Sequence, residues 1–300
     1  MAGSDVRRAA ALEQLPIDSL WVGGHVSSRN PSPETLVQLA RLSAVTERVT
    51  IGTAVLLLPL YSPAIVAKQI ADLDNETGGR IVFGVGVGGE YPQEFRACGV
   101  PVEERGPRTD EAIPLIRSLW SGERVSHDGA FYPMDDVHIH PAPRQPGGPP
   151  IIVAGRKGKA LQRVALHGDG WIPYLCSPRR YAASAAEIRA LAADAGRSLD
   201  GFGWYVFVFV NVDDDGLHAR QSAARSIGGL YEQDFAQMVD SVTASGTADE
   251  VTEKLTAFVD AGARHFVFLP ACEPDRADAV VDRLLSDVIP RVRSARGGSA

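Results

Sequence analysis

Three hundred residues, 45% of them hydrophobic, are enough to bury a sizeable core in one large domain or two small ones. A net charge of −7, with no run of five basic residues, argues against a nucleic-acid surface, which needs clustered Lys and Arg. Cys98, Cys176 and Cys272 are odd in number and far apart, with no C-x-x-C, so spacing supports neither a disulfide framework nor a metal site.

The opening MAGSDVRRAAALEQL has no apolar core of signal-peptide type, and the longest apolar stretch, Val49 to Ala67, is broken by Pro59 and Pro63. The expectation is a cytoplasmic protein without a membrane span.

In chain order, short apolar runs predict strands at Asp18–Gly23, Val49–Pro59, Arg80–Gly88, Pro150–Gly155, Asp169–Tyr174, Phe202–Val210 and His265–Pro270. Helical patterns lie between them. One opens at Pro33-Glu34-Thr35, with Ser32 as N-cap and Leu36, Leu39, Ala40 and Ala44 as its apolar face. Another opens at Ser62-Pro63. A third carries Ile113, Ile116, Leu119 and Trp120, and a fourth carries Val251, Leu255, Phe258 and Val259 and ends at Gly262. The Pro- and Gly-rich segment from His127 to Pro150 reads as a long loop. No repeat or linker divides the chain, so residues 1–300 read as one domain. Strand alternating with helix predicts a parallel sheet, as a doubly wound fold or a barrel.

Gly84, Gly86 and Gly89 spell G-x-G-x-x-G after the apolar run Ile81-Val82-Phe83. A dinucleotide site needs a second strand about 20 residues on, ending in an acid. Here Pro92, Pro101 and Pro107 follow and no strand is convincing before Pro150, so the fingerprint is out of context. The glycines either seat a cofactor at the end of a strand or relieve crowding within the sheet. Gly155-Arg156-Lys157-Gly158-Lys159 lies between a strand and a helix and suits a phosphate, or is a solvated basic turn. His25 follows a strand, where a general acid or base can stand. His138 and His140 have no well-spaced third ligand, so no metal is expected.

Together the stretches DSLWVGGHV, VTERVTIGTAVLLLPLYSPAIVAKQIADLDNETGGRIVFGVGVG, GVPVEERGPRTDEAIPLIRSLW, QPGGPPIIVAG and GDGWIPY resemble the luciferase-like flavin and deazaflavin oxidoreductases, from about residue 8 to residue 293. The nearest branch is the actinobacterial one that uses coenzyme F420. The resemblance implies a (β/α)8 TIM barrel of the bacterial-luciferase type, usually a homodimer. It implies a flavin-like ring beside Thr53, Ala54 and Val55, where the family often has a non-prolyl cis peptide. It also implies ring contacts at Gly86, Gly88 and Gly89, a phosphate seat at Gly155, Arg156, Lys157, Gly158 and Lys159, and proton transfer by His25, with Glu90 as a second candidate.

Two departures accompany the resemblance. The family's first strand is missing or atypical, since the chain enters on what reads as the first helix. The usual Asp-His pair is Gly24-His25, which removes the expected orienting partner, and Trp21 and Glu90 become alternatives for shaping the pocket. The implied activity is hydride transfer between F420 and an unidentified small organic substrate. The alternatives are an FMN-dependent monooxygenase working with a separate reductase, and a cofactor-binding protein without turnover. Many FMN-using members carry an Arg in the glycine turn; here that turn is Val87-Gly88-Gly89, which favours the deazaflavin. Phe131, Tyr132, Tyr174 and Tyr231 are candidates for an apolar substrate wall.

Overall fold

A computed structural model describes residues 6–28, 31–231 and 234–297. They form two compact units. One holds the described residues up to Ala154 together with Arg163–Gly170; the other holds Gly155–Gln162 and the described residues from Trp171 onward.

The first unit begins with α1 (Val6–Glu13) and β1 (Ser19–Val22), so the expected first strand is not among the described residues. Glu13, at the end of α1, accepts the amides of Glu47 (3.0 Å), Arg48 (2.7 Å) and Val49 (3.0 Å). Burial opposes the charge on Glu13, but these three amides and the nearby Arg80 hold its carboxyl below the usual range. Arg80 donates to the carbonyls of Thr46 and Val49, each at 2.6 Å. The chain entering β2 (Thr50–Thr53) is therefore clamped from both sides.

α2 (Thr35–Ser43) precedes β2, and its N-cap is Glu34, not Ser32. Glu34 accepts from the Val37 amide at 2.7 Å and from the Tyr61 hydroxyl at 2.7 Å. The apolar face is Leu36, Leu39 and Leu42, while Ala40 and Ala44 face out.

After β2 come β3 (Leu56–Leu57), α3 (Pro63–Glu76) with Ser62 as its N-cap, β4 (Ile81–Gly86), α4 (Pro92–Ala97) and α5 (Arg105–Leu119). Ile113, Ile116, Leu119 and Trp120 are buried as the periodicity predicts. β5 (Arg124–His127) and β6 (Met134–His138) then pair antiparallel, which corrects the expected featureless loop with a hairpin. Glu111 of α5 ties it down by accepting the amides of Phe131 (3.1 Å) and Tyr132 (2.8 Å) and meeting His127 Nε2 at 3.2 Å. β7 (Ile151–Ala154) closes this part of the chain.

Within the unit the parallel order is β1-β2-β4-β7, with Leu20 opposite Ile51, Ile51 opposite Ile81 and Phe83 opposite Ile151. All six residues of β4 are buried, as expected of a parallel strand covered on both faces.

α6 (Lys159–His167) and β8 (Gly170–Ile172) contain the boundary between the units. The second unit continues with α7 (Pro178–Asp194), β9 (Gly203–Val212), α8 (Gly216–Tyr231), α9 (Val239–Val242), β10 (Thr243–Gly246), α10 (Ala248–Asp260) and β11 (His265–Pro270). The last helices are α11 (Ala277–Arg283) and α12 (Ile289–Gly297). β10 and β11 both pair parallel with β9. α10 starts with a reciprocal capping box between Thr247 and Glu250 and is followed by Gly262 at φ +104°. Among the described residues no helix is long and apolar enough to cross a membrane.

Candidate active site

In the first unit the exits of β1, β2 and β4 lie side by side. The Ala54 amide donates to Val22 O at 2.6 Å, and Thr53 Oγ1 donates to Gly84 O at 2.6 Å. The Ala54–Val55 peptide bond is cis, at the place the resemblance implied. A Cβ on Gly84 would stand 1.9 Å from Thr53 O, and one on Gly86 would stand 2.6 Å from Val55 Cγ2. These two glycines admit the β2 exit against β4, which is the crowding role left open by the sequence. Gly88 and Gly89, at φ +62° and +121°, make the turn beyond the strand.

His25 stands at the β1 exit. Its Nδ1 is 3.3 Å from both carboxylate oxygens of Glu94, a residue with no exposed side-chain surface. The Val26 amide donates to Glu94 Oε2 at 3.2 Å, and the His25 amide donates to Ser32 Oγ at 3.0 Å. Tyr91 meets the imidazole edge-on with 4.9 Å between ring centroids. A carboxylate accepting from both Val26 and the ring places the imidazole proton on Nδ1 and leaves Nε2 available.

The orienting partner absent from position 24 is therefore supplied by Glu94. Position 24 has no room for an acid, since a Cβ on Gly24 would stand 1.9 Å from Pro33 O. Glu90, the expected second carboxylate, lies exposed on the turn before α4. Glu94 was legible in principle: Pro92 opens a helix, and the third residue of that first turn is Glu94 beside the buried Phe95. Trp21 is buried and packs over Gly52, so it belongs to the core.

Two side chains that feel the Glu94 charge are shifted upward. Burial, then the hydrogen bond and charge of Glu34, push the Tyr61 phenol far above its usual range, with Cys98 and Glu94 adding to it. Burial, then the Glu94 charge, push the Cys98 thiol up.

One further cation reaches the glycine turn. The Arg105 guanidinium lies where a Cβ on Gly89 would be 3.1 Å from Nε, and it donates to Val102 O at 2.7 Å. The turn lacks an Arg of its own but receives one from the start of α5.

In the second unit, Gly155 (φ +149°) and Gly158 (φ +57°) bracket Arg156 and Lys157. Trp171 Nε1 donates to Gly155 O at 2.8 Å and Ser184 Oγ donates to Arg156 O at 3.3 Å. Both bonds fix the turn while leaving Arg156, Lys157 and Lys159 exposed. The Arg156 guanidinium lies 4.8 Å above the Tyr174 ring, which stacks on Tyr231. Of the four aromatic candidates, Tyr174 and Tyr231 thus form one pair here. Phe131 and Tyr132 form another beside Arg108 in the first unit. His138 and His140 are near each other, but among the described residues no group of three or more His, Cys, Asp or Glu is placed to hold a metal.

A family model described as luciferase-like monooxygenase matches residues 3–265. An uncharacterized protein of Mycobacterium tuberculosis is 38% identical over 181 residues, which cover 57% of this chain and 62% of that protein, less than two thirds of its length. An F420-dependent glucose-6-phosphate dehydrogenase of Beutenbergia cavernae is 32% identical over 318 aligned positions, covering 94% of this chain and 91% of that protein. An F420-dependent secondary alcohol dehydrogenase, solved with an F420-acetone adduct, superposes with a TM-score of 0.85 at 22% identity over 96% of this chain and 94% of its own. The likeness at that identity is one of fold, the α/β TIM-barrel type. With its fold and the greater part of its length matched, the chain belongs to the luciferase-like monooxygenase family.

Proposed function

We propose that this protein is an oxidoreductase that uses coenzyme F420 to reduce, or in reverse to oxidise, a small organic substrate. The observation that carries the chemistry is the His25–Glu94 pair, a buried carboxylate holding an imidazole whose second nitrogen is available. The relative from Beutenbergia cavernae, similar over nearly its whole length, supports the choice of cofactor.

The donor set fits such a group. Exposed Arg156, Lys157 and Lys159 on a glycine-bracketed turn suit a phosphate, and Gly88 and Gly89, at positive φ, make a turn without side chains of its own, against which Leu57 and Arg105 pack. When bound, the deazaflavin supplies hydride-transfer chemistry. Ala54 and Val55, with Gly88 and Gly89, line the ring, while Thr53, fully buried with its hydroxyl on Gly84 O, supports them from behind rather than touching it. Gly86 contributes by letting Val55 lie against β4. Gly155, Arg156, Lys157 and Gly158 hold the phosphate. His25 gives or takes, at Nε2, the proton that balances a hydride on a carbonyl or unsaturated carbon. Glu94 fixes the ring, and exposed Glu90 is a second proton carrier.

A second reading is an FMN-dependent monooxygenase with a separate reductase. Arg105 against Gly89 favours it, because it supplies the cation that the turn itself lacks. The proposal extends to a cytoplasmic homodimer on the resemblance alone, and light scattering checks the assembly.

The test is turnover of reduced F420 against a panel of ketones, enones and sugar phosphates. His25→Ala is expected to lower kcat by about 10²-fold or more while cofactor affinity stays within about threefold. Full activity in that variant would remove His25 from the chemistry. Equal loss of binding would make it a structural residue.

A further inference from the structure

His25 is held from two sides. Glu94 takes the imidazole and the Val26 amide. The backbone before them rests on Ser32, Pro33 and Thr35. The His25 amide donates to Ser32 Oγ at 3.0 Å. Gly24 lies so close to this segment that a Cβ there would stand 1.9 Å from Pro33 O and 3.2 Å from Thr35 Oγ1. A shift of Ser32–Thr35 therefore shifts the imidazole against Glu94. Ser32 is exposed, so its bond competes with water and does not fix the segment alone.

Glu34 sits in the middle of that segment. Its Oε2 accepts the Val37 amide at 2.7 Å, a bond internal to the start of α2. Its Oε1 accepts the Tyr61 hydroxyl at 2.7 Å, a bond that leaves the helix for the connection between β3 and α3. That connection is a firm anchor. Leu56 and Leu58 have no exposed surface, β3 pairs with β4, and the Tyr61 amide donates to Leu58 O at 3.1 Å. Burial, then the hydrogen bond and charge of Glu34, keep the phenol protonated and therefore a donor. A hydrogen bond onto a carboxylate is roughly twice as strong as one between neutral groups. The Glu94 charge acts on the same phenol, so this contact lies within electrostatic reach of the His25–Glu94 pair.

The residue at the cap points the same way. Ser, Thr, Asp and Asn are the preferred N-caps, and Glu is not among them. The longer side chain of Glu34 does what a short cap cannot, because it caps α2 and reaches Tyr61 at once.

We propose that Tyr61 is a positioning residue for His25: through Glu34 it anchors the Ser32–Thr35 segment to the β3–α3 connection, and that segment seats the imidazole on Glu94. The inference rests on the reading of His25 as the proton carrier.

Two variants of the full-length protein test it. Tyr61→Phe removes the hydroxyl and keeps the ring. Glu34→Asp keeps a good cap but withdraws the carboxylate from Tyr61, so it should melt like the wild type. In ¹⁵N NMR without cofactor, the Nε2-protonated share of neutral His25 is expected to rise at least threefold in both. With reduced F420 and the ketone and enone panel, kcat should fall at least tenfold while KM and cofactor affinity stay within about threefold. A His25 spectrum like the wild type's in the folded variants overturns the inference, and so does a changed tautomer with unchanged kcat. Should Tyr61→Phe fail to fold, Glu34→Asp alone decides. If the wild type neither binds F420 nor turns over, the cofactor reading fails, and a changed tautomer in the variants still supports the seating of His25 by Tyr61.

Discussion

His25 Nδ1 lies 3.3 Å from both oxygens of Glu94, a carboxylate contributed from 69 residues further along the chain. The arrangement fixes which ring nitrogen can reach a substrate. In ¹⁵N NMR, neutral His25 should carry its proton on Nδ1. Glu94→Leu removes the acceptor, so the proton is expected to shift to Nε2, and turnover should fall by about 10²-fold. An unchanged spectrum would show that Glu94 does not set the tautomer. A circular-dichroism melt separates this from simple unfolding.

Gly24 cannot become the Asp of the common family pair. Its Cβ would stand 1.9 Å from Pro33 O, and an overpacked site of this kind costs about 1–3 kcal/mol or more. Gly24→Asp is expected to lower Tm without raising activity. A variant that melts like the wild type would mean that Pro33 is easily displaced.

Glu13 holds three amides at the entrance to β2. Glu13→Gln keeps one acceptor and turns an NH₂ toward these donors, so denaturant unfolding should show a loss of about 1–3 kcal/mol. A loss under about 0.5 kcal/mol would assign the clamp to Arg80 alone.

Glu273 gives a pH signature in the second unit. The Ser222 hydroxyl at 2.7 Å, its own backbone amide and Arg225 hold its carboxyl at about 2, against an ordinary value of 4.5, although burial opposes them. A lowered folded-state value means that the stabilisation is complete above 4.5 and is lost as pH falls toward 2. The stability difference between wild type and Glu273→Gln should be constant above about pH 5.5 and vanish on the acid side. A difference that does not change with pH would contradict the assignment.

Seven of the parallel strand runs were legible because parallel strands buried on both faces read as unbroken apolar runs, as Ile81 to Gly86 does, whereas β10, the small-residue run Thr243–Gly246, carries no such signature and was missed. The hairpin of β5 and β6 was not, because its residues are partly or fully exposed and carry no apolar signature. The N-cap of α2 was misplaced because Ser32 has the preferred chemistry for a cap, yet its hydroxyl is engaged by the His25 amide and Glu34 caps the helix instead. His25 was visible from its place after a strand. Glu94 was legible as an acid in the first turn of a Pro-opened helix, but its pairing with His25 was not, since nothing in the local spacing ties position 25 to position 94. The Arg105 contact with Gly89 escaped for the same reason, being made only when α5 folds back over the glycine turn.

The central claim is the cofactor, and the most direct measurement is equilibrium binding of the full-length protein to coenzyme F420 and to FMN, followed by fluorescence. The account predicts at least tenfold tighter binding of F420, about 1.4 kcal/mol. Tighter binding of FMN would contradict it and make Arg105, rather than the Gly155–Lys159 turn, the first place to look for the phosphate.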